Sequence, residues 1–503
     1  MRSLYRASRV HTLSPLAGGE WLLVDDRHVE RVGSGEPPEA DRTVELPGTT
    51  ILPGFIDAHV HLTGTGLSLQ GLDLSGAESR DAMVATVREH LATARPGPVL
   101  GVGFDESRWP DPGFPSLTEL DELSGEPLIL VRTDGYVSLA NTAALEGSGV
   151  SSTEGVERDA AGAPTGSLRG RANSDVQRWY FESLPTAEIQ DYQLRAATLA
   201  VSRGVTSLHE MSIPDKRGRR DLEVLVGHRT ALPVDLVIYV ADRDIPYVMD
   251  FGLHSIGGDL FLDGSIGART AAIVDPYSDA EGTASLAYED DELAEFLHNA
   301  HLAGLQVGLH AIGDAAIEQA VGVWERVYRA LDSRGRRHFR ARRHRLEHFE
   351  MASTDHVERA AALGLAISIQ PAFDSTWGGE EGMYQRRLGS ERARRMNPFR
   401  TLIERGIEVG GGSDSPVTPL DPMLGVWALE NHHNAAQRLS REQAVRIFTV
   451  GSARLGHQLK KGRLEPGAAA DFAAYEADPL DVPDPRDLRP VLTVSRGRDV
   501  YAR

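Results

Sequence analysis

The sequence predicts an α/β protein: a (β/α)8 TIM barrel, a small β-domain formed by both chain ends, and an insertion after the first barrel strand. Three observations lead there. Short β-branched or apolar runs alternate with amphipathic stretches through the middle of the chain. Residues 1–50 and 457–503 read as strands and turns alone. Residues 64–195 break the alternation with strands and helices of their own.

At the N-terminal end, "SLYRASRVHT", "EWLLVDDRHVERVG" and "TVELPGTTILPG" alternate moderately and are punctuated by Gly and Pro. The C-terminal segments "GRLEPGAAADFAAYEADP" and "VLTVSRGRDVYAR" are built alike, so the two ends are expected to meet as one β-domain. Between them, residues 51–456 carry eight candidate strands. In order these are "TTILPGFIDAHVH", "GVTSLHE", "VDLVIYV", "GDLFLDG", "LQVGLHAIGD", "RHRLEHFE", "LAISIQP" and "IEVGGGSDSPV". Amphipathic stretches precede most of them, such as "DDELAEFLHNAHLAG" before the fifth and "TDHVERAAALG" before the seventh. Repeated strand–helix units imply a parallel sheet, and eight of them imply closure.

With 503 residues, the chain is long enough for one large domain and a smaller one. It has no cysteine, which excludes disulfides, thiolate metal sites and a cysteine nucleophile. Any metal must therefore be held by His, Asp and Glu. The net charge of −20 argues against nucleic acid as a partner. No basic run and no apolar stretch near about 20 residues point to a membrane. The opening "MRSLYRASRVHTLSP" lacks the apolar segment of a secretion signal. The expectation is a cytoplasmic protein acting on a small molecule.

His59 and His61 stand two apart on the first strand, so their side chains point the same way. They lie at its C-terminal end, where barrel active sites are built. Alone, an H-x-H pair is weak evidence. His310 ends the fifth strand, His348 the sixth and Asp414 the eighth. Singly, each has a plainer reading, a core histidine or a helix N-cap. Together they place four imidazoles and a carboxylate at one mouth, a ligand set that suits zinc or another divalent ion.

These residues also carry a resemblance. "GFIDAHVH", "GLHAIGD", "LEHFE", "GGSDSPVTPLDP" and "GRLEPGAAADF" resemble the metal-dependent amidohydrolase superfamily. "RTDGY", "GAPTGSLRG" and "DGSIGARTAAIVDPY" are similar to the branch that includes N-substituted formamide deformylases. The resemblance spans essentially the whole chain. It implies a barrel with a β-sandwich from both termini, and His59, His61, His310, His348 and Asp414 as metal ligands. It further implies an amidohydrolase, a hydrolase of carbon–nitrogen bonds other than peptide bonds, in which a metal-activated water attacks an amide or formamide-type bond. Asp414 is then the general base and acid. Ester, lactone or cyclic-amide hydrolysis and deamination use the same machinery, and a non-catalytic binding protein on the same barrel is the reading from another class. Barrels of this kind often pair, so a homodimer is admitted.

One departure matters. Many superfamily members bridge two metals with a carbamylated lysine, and in this branch a lysine often stands four residues before the Asp-Gly of the fourth strand. Here that position is Asp259. The only lysines are Lys216, Lys460 and Lys461, in a polar loop and in the C-terminal β region, so no carbamylated lysine is expected. One metal is the default. Glu210, ending the second strand, is the candidate bridge if there are two. Asp259 is expected at the far end of its strand, and Asp263 at the tip as a contact to substrate or to a metal-ligating side chain. Glu347 is expected to point into the wall, and His209 away from Glu210. Tyr136 occupies a place where the branch usually has histidine. Tyr136, Arg132 and Trp377 are candidate substrate contacts. Arg269 is expected in an internal salt bridge.

Overall fold

The computed structural model describes residues 1–94 and 96–503. Eight short parallel strands organise its centre: β1 (Phe55–Val60), β2 (Val205–Ser212), β3 (Asp235–Val240) and β4 (Ser255–Ile256). They continue as β5 (Gln306–Ala311), β6 (Arg345–His348), β7 (Ala366–Ile369) and β8 (Glu408–Gly411). They form two sheets, ordered β3-β2-β1 and β4-β5-β6-β7-β8. Hydrogen bonds join these sheets at both ends. Asp414 N–H donates to His59 O (2.8 Å) and His61 N–H to Ser415 O (2.9 Å) beside β8, and Gly257 N–H donates to Val240 O (2.7 Å) beside β4. The architecture is α/β and TIM-barrel-like.

The core explains the continuous apolar runs of these strands. Every residue of β1, β2, β5, β6 and β7 is buried, as parallel strands covered on both faces must be. Helices such as Asp314–Ala330 turn Ile317, Val321 and Trp324 onto the strands at helical spacing, within one large apolar cluster.

The fourth strand departs from expectation. It pairs only at Ser255–Gln306 and Ile256–Val307. Gly257 and Gly258 then take positive φ (79° and 72°), and pairing resumes as His310 N–H donates to Leu260 O (3.1 Å) and Leu262 N–H to His310 O (3.1 Å). The glycines are needed because the backbones approach closely: a Cβ on Gly257 would lie 2.1 Å from Gly308 O. This kink brings Asp259 to the strand mouth rather than its far end.

Strands from both termini share one seven-stranded sheet. Its order is 498–502, 490–495, 472–475, 42–53, 2–10, 19–25, 28–33. Tyr5, Leu22 and Ile51 from one end pack with Leu464, Phe472 and Val494 from the other in a single cluster. Residues 72–169 hold a separate six-stranded mixed sheet with its own apolar cores, and its strands Val99–Phe104 and Leu128–Arg132 end beside the mouth. Among the described residues, no helix is long and apolar enough to cross a membrane.

Gly257→Ala combines a left-handed backbone with an overlap against Gly308, so it should cost at least about 2 kcal/mol. The urea midpoint of the purified variant reads this out, and an unchanged midpoint would contradict the kink described.

Candidate metal centre

The four imidazoles converge, and hydrogen bonds set how three of them present. His59 Nδ1 donates to Glu347 Oε2 (3.0 Å), His61 Nδ1 to Met211 O (2.8 Å) and His348 Nδ1 to Gln370 Oε1 (2.8 Å). Each bond holds the proton on Nδ1 and leaves Nε2 as the free donor atom. His310 ring centroid lies 4.4 Å from that of His348, and its Nε2 lies 3.1 Å from the Tyr136 hydroxyl.

Two carboxylates face these nitrogens. Asp414 Oδ1 lies 3.4 Å from His59 Nε2 and 3.0 Å from His61 Nε2. Asp259 spreads across the group: Oδ2 lies 3.2 Å from His61 Nε2, while Oδ1 lies 3.4 Å from His59 Nε2 and 3.9 Å from His348 Nε2. Two overlapping sets of ligand atoms result, His59–His61–Asp414 and His59–Asp259–His348, all buried. His59 Nε2, Asp259 Oδ1 and Asp414 Oδ1 are buried without hydrogen-bond partners. Buried polar atoms are normally satisfied, so these three atoms mark a place for a cation. The electrostatics agree. Burial opposes the charge on His59, yet Asp259 and Asp414 lift its imidazole well above the usual range. Against the same burial, the imidazoles hold both carboxyl groups below theirs. The cluster draws positive charge to itself, as protons or as metal. The residues present fit a divalent ion.

Behind the ligands, Glu347 is clamped by Arg345 Nη2 (2.8 Å), which also donates to Ala58 O (2.8 Å). Burial works against the Glu347 charge, but Arg345 and His59 bring its carboxyl down to about 2. Asp57 Oδ1 accepts from the N–H groups of His59 (3.1 Å) and Ser413 (2.9 Å), fastening β1 to the Asp414 turn. His209 turns away, its Nδ1 3.0 Å from Arg345 Nη1, and burial and that arginine push it down to about 3.

The remaining candidates fall in different places. Glu210 accepts the Leu62 N–H (2.7 Å) and belongs to neither set of ligand atoms; burial pushes its carboxyl up to about 7. Asp263 is saturated by the N–H groups of Ala272 (2.9 Å), Ile312 (3.1 Å) and Gly313 (2.8 Å). It therefore braces the loop behind His310 and is no free substrate contact. Arg132 is buried among Asp105 (2.9 Å), Glu106 (2.7 Å) and Asp134 (2.5 Å), a clamp forming part of the cavity wall. Trp377 Nε1 donates to Asp105 Oδ2 (3.1 Å) and its ring lines the same cavity, as Tyr136 does. Arg269 pairs with Asp279 (2.9 Å).

The cavity at the donors is narrow, about 70 Å³. A wider one of about 620 Å³, between the six-stranded sheet and the strand mouth, shares His61, Asp134, Lys216 and Trp377 with it. Sequence reasoning missed Asp259 and Lys216 as parts of this site. The Gly-Gly-Asp run was the available signal for Asp259. Lys216 had none, because its approach depends on how a loop folds back. In a further cluster, Asp374, His432 and His433, His432 is fully engaged, its Nε2 donating to Asn397 O (2.9 Å) and its Nδ1 accepting from Asn434 N–H (3.0 Å), while His433 Nε2 is buried without a hydrogen-bond partner.

Comparison with known proteins places this geometry. A model of the amidohydrolase family matches residues 42–501. YtcJ of Bacillus subtilis, named as an amidohydrolase, is 30% identical over all of both chains. The N-substituted formamide deformylase of Arthrobacter pascens is 24% identical, covering 93% of this chain and 90% of that protein. The crystal structure of an uncharacterized metal-dependent hydrolase from Pyrococcus horikoshii OT3 superposes with a TM-score of 0.77 at 27% identity, covering 96% of this chain and 99% of that one.

Glu347→Gln keeps an acceptor for His59 but removes the charge that orients it. Metal affinity should fall roughly 10–100-fold, measured by competition with a chromophoric chelator, with the far-ultraviolet circular dichroism unchanged.

Proposed function

The chain belongs to the amidohydrolase family, enzymes acting on carbon–nitrogen bonds, and from that premise we propose that it is a metal-dependent hydrolase cleaving an amide or formamide-type bond of a small molecule. One observation carries the reading: the imidazoles of His59, His61 and His348 and two carboxylates meet in a buried cluster with donor atoms left unpaired, and His310 packs edge-on beside His348 outside both sets of ligand atoms. Zinc suits this nitrogen and oxygen set, and a divalent ion held there supplies an activated water and polarises the acyl oxygen.

The chain's own groups then do the rest. Asp414, poised beside both first-strand histidines, accepts the proton of the attacking water and returns it to the leaving nitrogen. Burial, with nearby carboxylates, keeps the Tyr136 hydroxyl protonated, so it can donate to the developing oxyanion. Trp377, Phe373 and Tyr384 wall the cavity and exclude water. Asp259, with one oxygen towards His61 and the other towards His59 and His348, would hold a divalent ion where relatives use a carbamylated lysine, and this second carboxylate beside Asp414 is what supports a centre of two ions. In the same reading the eight strands close as a (β/α)8 barrel over residues 51–456, with 64–195 inserted and 1–50 plus 457–503 as a composite β-domain. The hydrogen bonds at both seams and the shared seven-stranded sheet support this.

Asp414→Asn should lower kcat by roughly 10²–10⁴-fold on an N-substituted formamide while the melting temperature stays near wild type. Retention of most activity would sink the mechanism. Elemental analysis of the purified protein tests the second ion separately. Two metal equivalents are expected in wild type and in Glu210→Gln, and at most one in Asp259→Asn. Loss of an ion from Glu210→Gln instead would reassign that role to the glutamate.

A further inference from the structure

Lys216 lies just past β2 in the short helical turn Pro214–Arg217, and the fold carries it to the border of the two cavities. Its Nζ donates to Gly135 O (3.2 Å) and sits 4.5 Å from the Tyr136 ring centroid and 4.8 Å from that of Phe261. Among the described residues it has no ion-pair partner. Lys216 is half-buried, and a partly desolvated ammonium is normally compensated by a carboxylate; the aromatic faces compensate only in part.

The charged groups nearby are committed elsewhere. Asp134 is held by Arg132 (2.5 Å) and by the Ser265 hydroxyl (2.5 Å). Asp259 and Asp414 belong to the metal ligands, and a bound cation cancels the field they exert on Lys216. Arg217 next door opposes Lys216, and its own charge acts on Glu210 and Asp221. Burial pushes the Lys216 ammonium down, to about 8. With one N–H given to Gly135 O, Lys216 Nζ keeps N–H directions free at the border of the two cavities, the space a substrate must cross.

We propose that Lys216 binds an anionic group on the substrate, so that the enzyme acts on N-acyl or N-formyl compounds carrying a carboxylate beyond the scissile bond. This rests on the carbon–nitrogen hydrolase reading above. The carboxylate would accept hydrogen bonds from Nζ at the border, while the acyl carbon reaches the ligands in the narrow cavity. The wider cavity takes whatever the substrate carries further out.

The test uses the metal-loaded full chain and three pairs of probes: N-formylglycine, N-formyl-β-alanine and 4-formamidobutanoate, each against its neutral carboxamide. Wild type should prefer the best acid over its carboxamide by about tenfold or more in kcat/KM. Lys216→Met and Lys216→Gln, with equal metal content, should bring that ratio near one, and Lys216→Arg should keep part of it. Calorimetric binding of the same pairs separates the two readings. If no probe is cut, yet the acid binds wild type about tenfold more tightly than it binds Lys216→Met, the hydrolytic reading fails and the anion site stands. If acids and carboxamides are handled alike, if the neutral variants keep the preference, or if no acid binds wild type measurably, the assignment is overturned.

Discussion

Two buried carboxylates sharing the same imidazoles set the terms for the rest of this molecule. Asp259 and Asp414 both approach His59 Nε2 and His61 Nε2, and among the described residues neither has a cationic lysine or arginine paired with it. Burying a carboxylate costs several kcal/mol unless positive charge or hydrogen bonds offset it. The surrounding chain meets this by orientation. Glu347, Met211 and Gln370 each take a histidine's outer nitrogen, so the inner nitrogens all point at the acids. Arg345, fully buried itself, then balances Glu347 and keeps that support anionic.

The backbone carries strain where the ligands sit. His348, Phe349 and Asp414 adopt positive φ (70°, 56° and 55°), a conformation that costs a side-chain-bearing residue roughly 1–3 kcal/mol. Hydrogen bonds to neighbouring strand ends hold them there. Phe349 N–H donates to Ala311 O (3.0 Å) and Asp414 N–H to His59 O (2.8 Å), so each strained tip is stitched to the tip beside it. The mouth is a ring of mutually fixed ends, which is why candidate ligands scattered over 355 positions of sequence, from His59 to Asp414, reach a common centre.

Much of this was legible in the sequence because it follows from periodicity. Strand alternation put His59 beside His61 and turned His209 away from Glu210, and the C-terminal tips of β5, β6 and β8 singled out His310, His348 and Asp414, of which His348 and Asp414 share ligand-atom sets with His59. What stayed hidden depends on local departures from regularity. Reading "GDLFLDG" as one straight strand sends Asp259 to the wrong end; two glycines in left-handed conformation reverse that. Asp263 reads as an exposed tip acid until three backbone N–H groups close on it. Arg132 reads as a free cation because the acids Asp105 and Glu106, which engage it, come from a neighbouring strand end of the inserted sheet. Spacing along one strand cannot register a partner on another.

The aspartate at position 259 has a consequence for how the site comes into being. A lysine becomes a bridging carbamate only after its neutral amine adds carbon dioxide, a reversible step governed by the dissolved gas and by acidity. Asp259 carries its two oxygens from the moment of translation. In the centre proposed above, assembly is therefore uncoupled from carbon dioxide and bicarbonate, and waits on folding and on the supply of metal.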